Sequence, residues 1–194
     1  MSLRRFAMRR VGMIVALGAL LGMLGAAATA SPALADGRGG GWQVIPLPQT
    51  VTTDPVVCGF EIQGTLLAGK EFVKALKAAD GSMVSLITGS LKASLTNPAN
   101  GKTITVNLSG PYKQIDFPDG SVTILGKGHQ FTTLTPADQA RFGLPGFFVA
   151  AGSLTTVGDP HGNITSMSLN GHVLVDVCAA LRLGKLRLLV LPSS

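Results

Sequence analysis

Apolar and polar residues alternate along most of the chain after residue 56, and short turn signals divide this alternation into segments. In the segment 103–108, Ile104, Val106 and Leu108 alternate with threonine and asparagine, and the segment 173–177 has valine at every second position. Period-two alternation with many β-branched residues predicts strands that are buried on one face. We therefore expect about eight strands, at residues 56–66, 70–78, 83–95, 102–109, 112–117, 121–133, 147–157 and 163–178.

Four Asx-Gly pairs are the strongest turn signals, because asparagine, aspartate and glycine tolerate the positive φ of tight hairpins. They are Asp80-Gly81, Asn100-Gly101, Asp119-Gly120 and Asn170-Gly171. A fifth, longer turn is expected at 159–162. Three glycines within the longer strands, Gly89, Gly126 and Gly128, mark positions where those strands can bend or bulge.

The segment 71–79 is ambiguous, since its apolar residues fit both a strand and a helical stripe. The Asp80-Gly81 turn leads directly into the next apolar segment and favours a hairpin. One short helix is predicted after Thr135, which offers an N-cap, with Pro136 at the first helical position and Asp138 in the first turn. Gly143 is placed to end that helix in the left-handed conformation.

Many short strands and a single short helix predict an all-β fold, either an antiparallel barrel or a sandwich. The chain has two cysteines, Cys58 and Cys178. In an oxidising compartment an even count favours a disulfide, with two free thiols as the alternative. Such a bridge would bring the ends of the first and last predicted strands together, so we favour a barrel of about eight strands over a sandwich.

The first 35 residues have the pattern of a signal peptide. Four arginines precede the apolar run 11–30, and Ala33-Leu34-Ala35 supplies the small residues required for cleavage after Ala35. An uncleaved membrane anchor is the alternative. The paired arginines raise a twin-arginine route, but the flanking residues favour the general secretory route. We expect an exported, extracellular protein.

Removal of this leader changes the charge of the chain. Four of the 16 Lys and Arg residues and none of the 10 acidic residues lie in the leader, so 12 basic residues remain and the net charge is +2. The only tryptophan and the only tyrosine, Trp42 and Tyr112, lie beside no basic cluster. A nucleic-acid surface would combine clustered cations with aromatic residues, so we expect no nucleic-acid partner.

Composition divides the exported chain into three parts. Residues 36–55 are rich in glycine and proline and predict a flexible N-terminal segment. Residues 56–181 form the β domain. Residues 182–194 form a basic, leucine-rich tail, for which a strand that covers the barrel or extends the sheet is favoured over an amphipathic segment resting on a membrane.

The sequence "NPANGKT" at 97–103 ends like a phosphate-binding loop. Such a loop needs a first glycine where this chain has Thr96, and it leads into a helix. Here Pro98 removes a backbone donor, and the alternating segment 103–108 that follows is a predicted strand. We therefore interpret the stretch as a turn between two strands.

No metal or cofactor site is predicted. Three histidines, His129, His161 and His172, are spread along the chain without ligand spacing, and two of them lie beside turn signals. Pairs such as Asp116 with His129 or Asp176 with His172 are possible in space, but the sequence selects neither.

Tyr112 and Asp116 form the one polar pair with a geometric reason to converge, because they lie on the same face of a predicted strand. A pocket near Tyr112, Asp116 and His129 is therefore the candidate site if the protein is an enzyme. The alternative is a solvated sheet face, which the sequence favours.

The middle of the chain resembles a group of secreted actinobacterial proteins without an assigned function. The matching stretches lie within residues 95–181 and read "LTNPANGKTITVNLSGP", "PDGSVTILGKG", "LPGFFVAAG" and "GNITSMSLNGHVLVDVCAAL". The resemblance implies an exported β-rich domain with a bridge between its two cysteines. It implies no catalytic residue, and the tail after Leu181 departs from the pattern.

Two classes of function remain from the sequence. The favoured one is a non-enzymatic secreted domain that binds a cell-envelope component, another protein or a small apolar ligand inside the barrel. The alternative is a small barrel enzyme of the cyclase, isomerase or hydrolase type. The two differ in what the interior contains, since an enzyme needs titratable side chains pointing into a lined cavity.

Overall fold

An antiparallel β-sheet and two short helices form the part of the protein that the structure, a computed structural model, describes, which is residues 41–182. The predicted leader 1–35, residues 36–40 and residues 183–194 of the tail lie outside this range. The helices are α1 (Pro136–Phe142) and α2 (Val177–Leu181). The strands are β1 (Gln43–Ile45), β2 (Thr50–Thr52), β3 (Gln63–Lys77), β4 (Met83–Thr96), β5 (Thr103–Ser109), β6 (Tyr112–Asp116), β7 (Val122–Thr133), β8 (Phe147–Gly158) and β9 (Ile164–Asp176).

The strands follow one another across the sheet in the order β1-β3-β4-β5-β7-β8-β9, and β2 also pairs with β3. β5 and β6 both lie between the same two neighbouring strands, since each pairs with β4 on one side and with β7 on the other. Pairing therefore closes a ring through β4, β5, β7 and β6. Within residues 41–182 no pairing joins β9 to β1, β2 or β3. The predicted all-β antiparallel class is confirmed, with a small closed ring between two open edges.

A row of glycines crosses the sheet from β3 to β9, and we call it the glycine row. Gly128 of β7 lies opposite Gly152 of β8, which in turn lies opposite Gly171 of β9. A Cβ atom at any member of the row would collide with a backbone oxygen of a neighbouring strand. Only glycine permits this approach, and glycine kinks of this kind bend a sheet sharply. The members of the row are Gly69, Gly89, Gly110, Gly128, Gly152 and Gly171.

The sheet folds over along the glycine row, and the two halves pack against each other. Phe148 and Ala150 lie on one side of the row in β8 and are fully buried. They form a core with Leu134, against which apolar side chains from the β9 residues before Gly171 pack. We call this the second core. The residues packed against it are Leu144, Ile164, Met167, Leu169 and Val173.

A larger first core lies on the opposite face of the sheet. Phe131 and Phe147 meet edge to face in it, with ring centroids 6.0 Å apart. Helix α2 and the segment between β2 and β3 close this core at one end of the sheet. Its buried members are Cys58, Ile62, Leu91, Leu95, Val106, Leu108, Phe147, Val149, Val177, Cys178 and Leu181.

The predicted disulfide between Cys58 and Cys178 is present, with the two Cα atoms 5.2 Å apart. The prediction that it joins two strands is wrong. Cys58 lies in a turn before β3, and Cys178 lies in helix α2. The bridge therefore attaches a turn to a helix beneath the first core, and it does not close the sheet edge to edge.

The predicted strands 56–66 and 70–78 are one strand, β3, that begins only at Gln63. Asp54 prevents an earlier start, because its carboxylate accepts the Val56 amide and its carbonyl accepts the Val57 amide. These bonds form a turn despite the alternating apolar residues that follow. The expected break near residue 68 is only a bulge between Leu66 and Ala68. Residues 70–77 are extended, as the hairpin interpretation predicted.

The last predicted strand is also too long. It ends at Asp176, whose carboxylate caps helix α2 by accepting the Ala179 amide at 2.9 Å. The described residues thus contain two helices, whereas the sequence predicted only the one after Thr135. The Asn170-Gly171 pair lies inside β9 rather than in a turn, and Gly171 belongs to the glycine row.

The segment 41–55 is better ordered than its composition predicted. It contributes β1 and β2, which pair with β3 at residues 71–73 and 63–65. Each strand is only three residues long, because prolines separate and end them. The sheet therefore begins upstream of the predicted boundary at residue 56.

Helix α1 confirms its predicted signals. The Thr135 side chain accepts the Asp138 amide, and Gly143 ends the helix with φ of 65°. The predicted turns at Gly81, Gly101 and Gly120 are also present, each with a positive φ between 72° and 91°.

Candidate functional site

The turn 97–102 binds the end of helix α2 rather than standing free. The side-chain amides of Asn97 and Asn100 both donate to the carbonyl oxygen of Leu181, at 3.1 and 2.9 Å. The Lys102 ammonium donates to the carbonyl oxygen of Arg182 at 2.7 Å. A helix leaves its last carbonyls unpaired and negatively polarised, so amides and a cation satisfy them. The residues that resemble a phosphate loop thus have a structural task.

Tyr112 and Asp116 lie on one face of β6, as predicted, with the buried Gln114 between them. The Gln114 amide donates to the Asp116 carboxylate at 2.7 Å. Each of these side chains is at least half-buried. The structure therefore brings Tyr112 and Asp116 into one polar strip.

His129 lies outside this strip. Its neighbour Gln130 is buried and fills the space above Gly126, next to the Tyr112 ring. Adjacent residues of a strand point to opposite faces, so the exposed His129 faces away from Tyr112. The three residues proposed for an enzyme pocket do not meet.

Glu71 was not singled out from the sequence, yet it lies near Tyr112. Burial raises the pKa of the Glu71 carboxyl above its ordinary value. Burial, and to a lesser extent the charge of Glu71, raise the pKa of the Tyr112 hydroxyl. Tyr112 is therefore protonated at neutral pH, and it is a poor general base.

The histidines and acids form no metal centre in the part of the chain that the structure describes. No three His, Cys, Asp or Glu residues lie together within residues 41–182. His129, His161 and His172 are all exposed. His161 sits in the predicted turn 159–162, where the Asp159 carboxylate accepts its amide at 2.8 Å.

An apolar cavity of about 40 Å³ lies in the first core. Residues from β2, β3, β4, β5, β7 and β8 line it, so the curled sheet surrounds it on several sides. Gln49, between β1 and β2, is its one exposed lining residue and marks the mouth. The apolar side chains of the wall are Pro48, Val51, Leu66, Leu91, Ala93, Leu95, Val106, Leu108, Phe131, Phe147 and Val149.

The wall of this cavity is a direct product of strand alternation. Leu91, Ala93 and Leu95 occupy every second position of β4, and Val106 and Leu108 do the same on β5. The alternation in residues 103–108 predicted which face of β5 is buried. It did not predict that this face encloses a space, because a cavity depends on how the strands curl.

Neither helix in residues 41–182 has the length and hydropathy needed to cross a membrane. Comparison with protein families, curated proteins and solved structures finds no match for the chain. Any function must therefore be argued from the cavity and the surfaces themselves.

Proposed function

We propose that the protein is an exported, non-enzymatic binding domain that accepts the end of an apolar chain in the cavity of the first core. The single observation that carries this proposal is the apolar wall, to which six strands contribute and which opens beside Gln49. Apolar walls with few polar groups are the usual form of small-ligand sites.

The size of the cavity limits the ligand. About 40 Å³ is room for roughly three water-sized groups, which corresponds to the last few carbons of an alkyl chain. The remainder of such a ligand would lie outside, past Gln49, where a polar group can stay in water. A lipid-like component of the cell envelope has this chemistry.

Export is part of the same proposal. The leader with its cleavage signal at Ala35 and the Cys58–Cys178 disulfide both favour an oxidising extracellular location. The resemblance to secreted actinobacterial proteins agrees with it.

The proposal is tested by calorimetric titration with n-alkyl carboxylates of increasing chain length. Each methylene that enters the cavity should strengthen binding by about 0.8 kcal/mol, roughly fourfold, until the cavity is full. Ala93→Leu places a larger side chain in the cavity wall and should abolish binding. The matched control is Ser94→Leu, which alters the opposite face of β4.

Thermal unfolding checks that both variants fold. A wild-type protein that binds no alkyl carboxylate would contradict the proposal. So would a folded Ala93→Leu protein with unchanged affinity, because the ligand would then bind elsewhere.

A further inference from the structure

The outer edge of β9 is a long row of backbone groups that no strand within residues 41–182 covers. β9 pairs with β8 on one side only, and it ends the strand order of the sheet. At its start the Arg141 guanidinium donates to the carbonyl oxygens of Ile164 and Thr165, at 2.8 and 2.7 Å. We call the remaining stretch, Ser166–Asp176, the β9 edge.

The β9 edge lacks the charges and prolines that keep edge strands from pairing, and its one irregularity is a bulge between Val173 and Val175. Monomeric proteins protect such edges with lysines, prolines, β-bulges, inward charges or very short strands. From Ser166 to Val175 the sequence contains no Lys, Arg, Asp, Glu or Pro. Leu174 is exposed over 43% of its surface. A long uncharged edge of this kind is a template for another strand.

The opposite edge of the sheet cannot supply that strand. β1 and β2 already cover residues 71–73 and 63–65 of β3, and each is only three residues long. Pairing of β9 with that edge in another copy would give a short ladder and an open-ended assembly. Pairing of β9 with another β9 gives a longer ladder about Gly171 and closes the assembly at two copies.

The last described residues of the chain are held at the β4–β5 turn rather than at β9. Helix α2 carries the chain beneath the first core to the turn 97–102, which holds the carbonyls of Leu181 and Arg182. That turn joins β4 to β5, and β7 and β8 separate it from β9. A tail strand on β9 would have to return beneath these strands, so a second copy is the better occupant.

We propose that the β9 edge is a dimer interface, in which two copies pair β9 antiparallel about a twofold axis at Gly171. This register sets Leu169 of one copy opposite Val173 of the other, and both residues lie on the face that packs against the second core. Apolar residues therefore face apolar residues across the interface. At the axis itself the Gly171 residues of the two copies lie opposite each other.

Sedimentation velocity over a wide range of concentrations tests this interface. The double variant Ser168→Lys, Asn170→Lys sets lysines around the axis and should weaken dimerisation by about tenfold or more. The matched control is Thr105→Lys, Asn107→Lys, which adds the same charge to exposed positions of the interior strand β5. The control should dimerise like the wild-type protein.

Hydrogen exchange locates the contact, because amides of Ser166–Asp176 should become protected as the protein concentration rises. A truncated variant that ends at Arg182 tests whether residues 183–194 of the same chain occupy the β9 edge instead of a second copy. A wild-type protein that is monomeric at all concentrations would overturn the proposal, and so would dimerisation that appears only after removal of residues 183–194. A dimer that the edge lysines leave intact would also overturn it.

Discussion

The side-chain amide of Asn97 donates to the carbonyl oxygen of Leu181, 84 residues further along the chain, at 3.1 Å. The same asparagine accepts the Ala99 amide at 2.9 Å, so one buried side chain both shapes its own turn and holds the end of helix α2. This contact ties the β4–β5 turn to the last described residues of the chain.

Asn97→Ala should therefore destabilise the protein by about 1–3 kcal/mol, because it leaves a buried carbonyl with one partner fewer and removes the support of the turn. Chemical denaturation measures the change. Asn107→Ala, at an exposed position of β5, is the control and should change stability by less than about 0.5 kcal/mol. Equal losses in the two variants would show that the contact contributes nothing specific.

Loss of the disulfide should be the larger effect. The bridge closes a loop with a sequence separation of 120, for which chain entropy gives about 4–5 kcal/mol. Replacing both cysteines by serine, or reducing the wild-type protein, should lower the unfolding midpoint by the same large amount. An unchanged midpoint in the reduced protein would contradict the assignment of the bridge to the folded core.

Gly128→Ala should destabilise the sheet through two separate effects. Gly128 has φ of 88°, and an added Cβ would also collide with the carbonyl oxygen of Ser109. Gly101→Ala is the matched control, since Gly101 has φ of 72° but nothing within 4 Å of an added Cβ. The control should lose about 1–2 kcal/mol from backbone strain alone. Gly128→Ala should lose clearly more, and a loss no larger than the control would refute the close approach in the glycine row.

Glu71 should make stability fall as the pH rises. Burial raises the pKa of its carboxyl in the folded protein above the ordinary 4.5, so the folded state binds more protons than the unfolded state in the window above 4.5. The destabilisation caused by the buried, charged Glu71 carboxylate is absent below that window and complete above the pKa of the folded protein. Glu71→Gln should therefore stabilise the protein at pH 7 and change it least in acid. Unfolding free energies at the two pH values measure this.

Asp119 should change the pH dependence of stability in the opposite direction to Glu71. Hydrogen bonds from the Ser121 hydroxyl and amide lower the pKa of its carboxyl. The stabilisation from these hydrogen bonds is present at neutral pH and is lost as the pH falls through the lowered pKa of Asp119. Asp119→Asn should destabilise at pH 7 rather than stabilise. The same pH response in both variants would show that net charge, not local environment, controls stability.

The parts of the fold that the sequence predicted well are governed by local rules. The alternation of Ile104, Val106 and Leu108 indicated a strand with the correct buried face, and Thr135 indicated the start of helix α1. The errors arose where a side chain hydrogen-bonded the nearby backbone. Asp54 formed a turn and Asp176 capped a helix within segments whose apolar alternation resembled strands.

The glycine row and the cavity lay beyond local rules, because both depend on the register between strands. Glycine does recur at intervals of 18 to 24 residues from Gly69 to Gly171, close to the spacing of successive strands. That recurrence was the available sequence signal for the glycine row along which the sheet folds over. The burial of Gln130 above Gly126 had no comparable signal, since only the folded sheet brings them together.

The position of the disulfide determines how the protein responds to mechanical load. A pulling force applied at residues 41 and 182 would run along the chain to Cys58, cross the covalent bridge and leave from Cys178. Strands β3 to β9 all lie inside the bridged loop and would carry no tension. While the bridge is oxidised, stretching the ends can peel away only β1, β2 and the last turn of α2, so the β9 edge stays intact under strain while the cavity loses the part of its wall that β2 supplies.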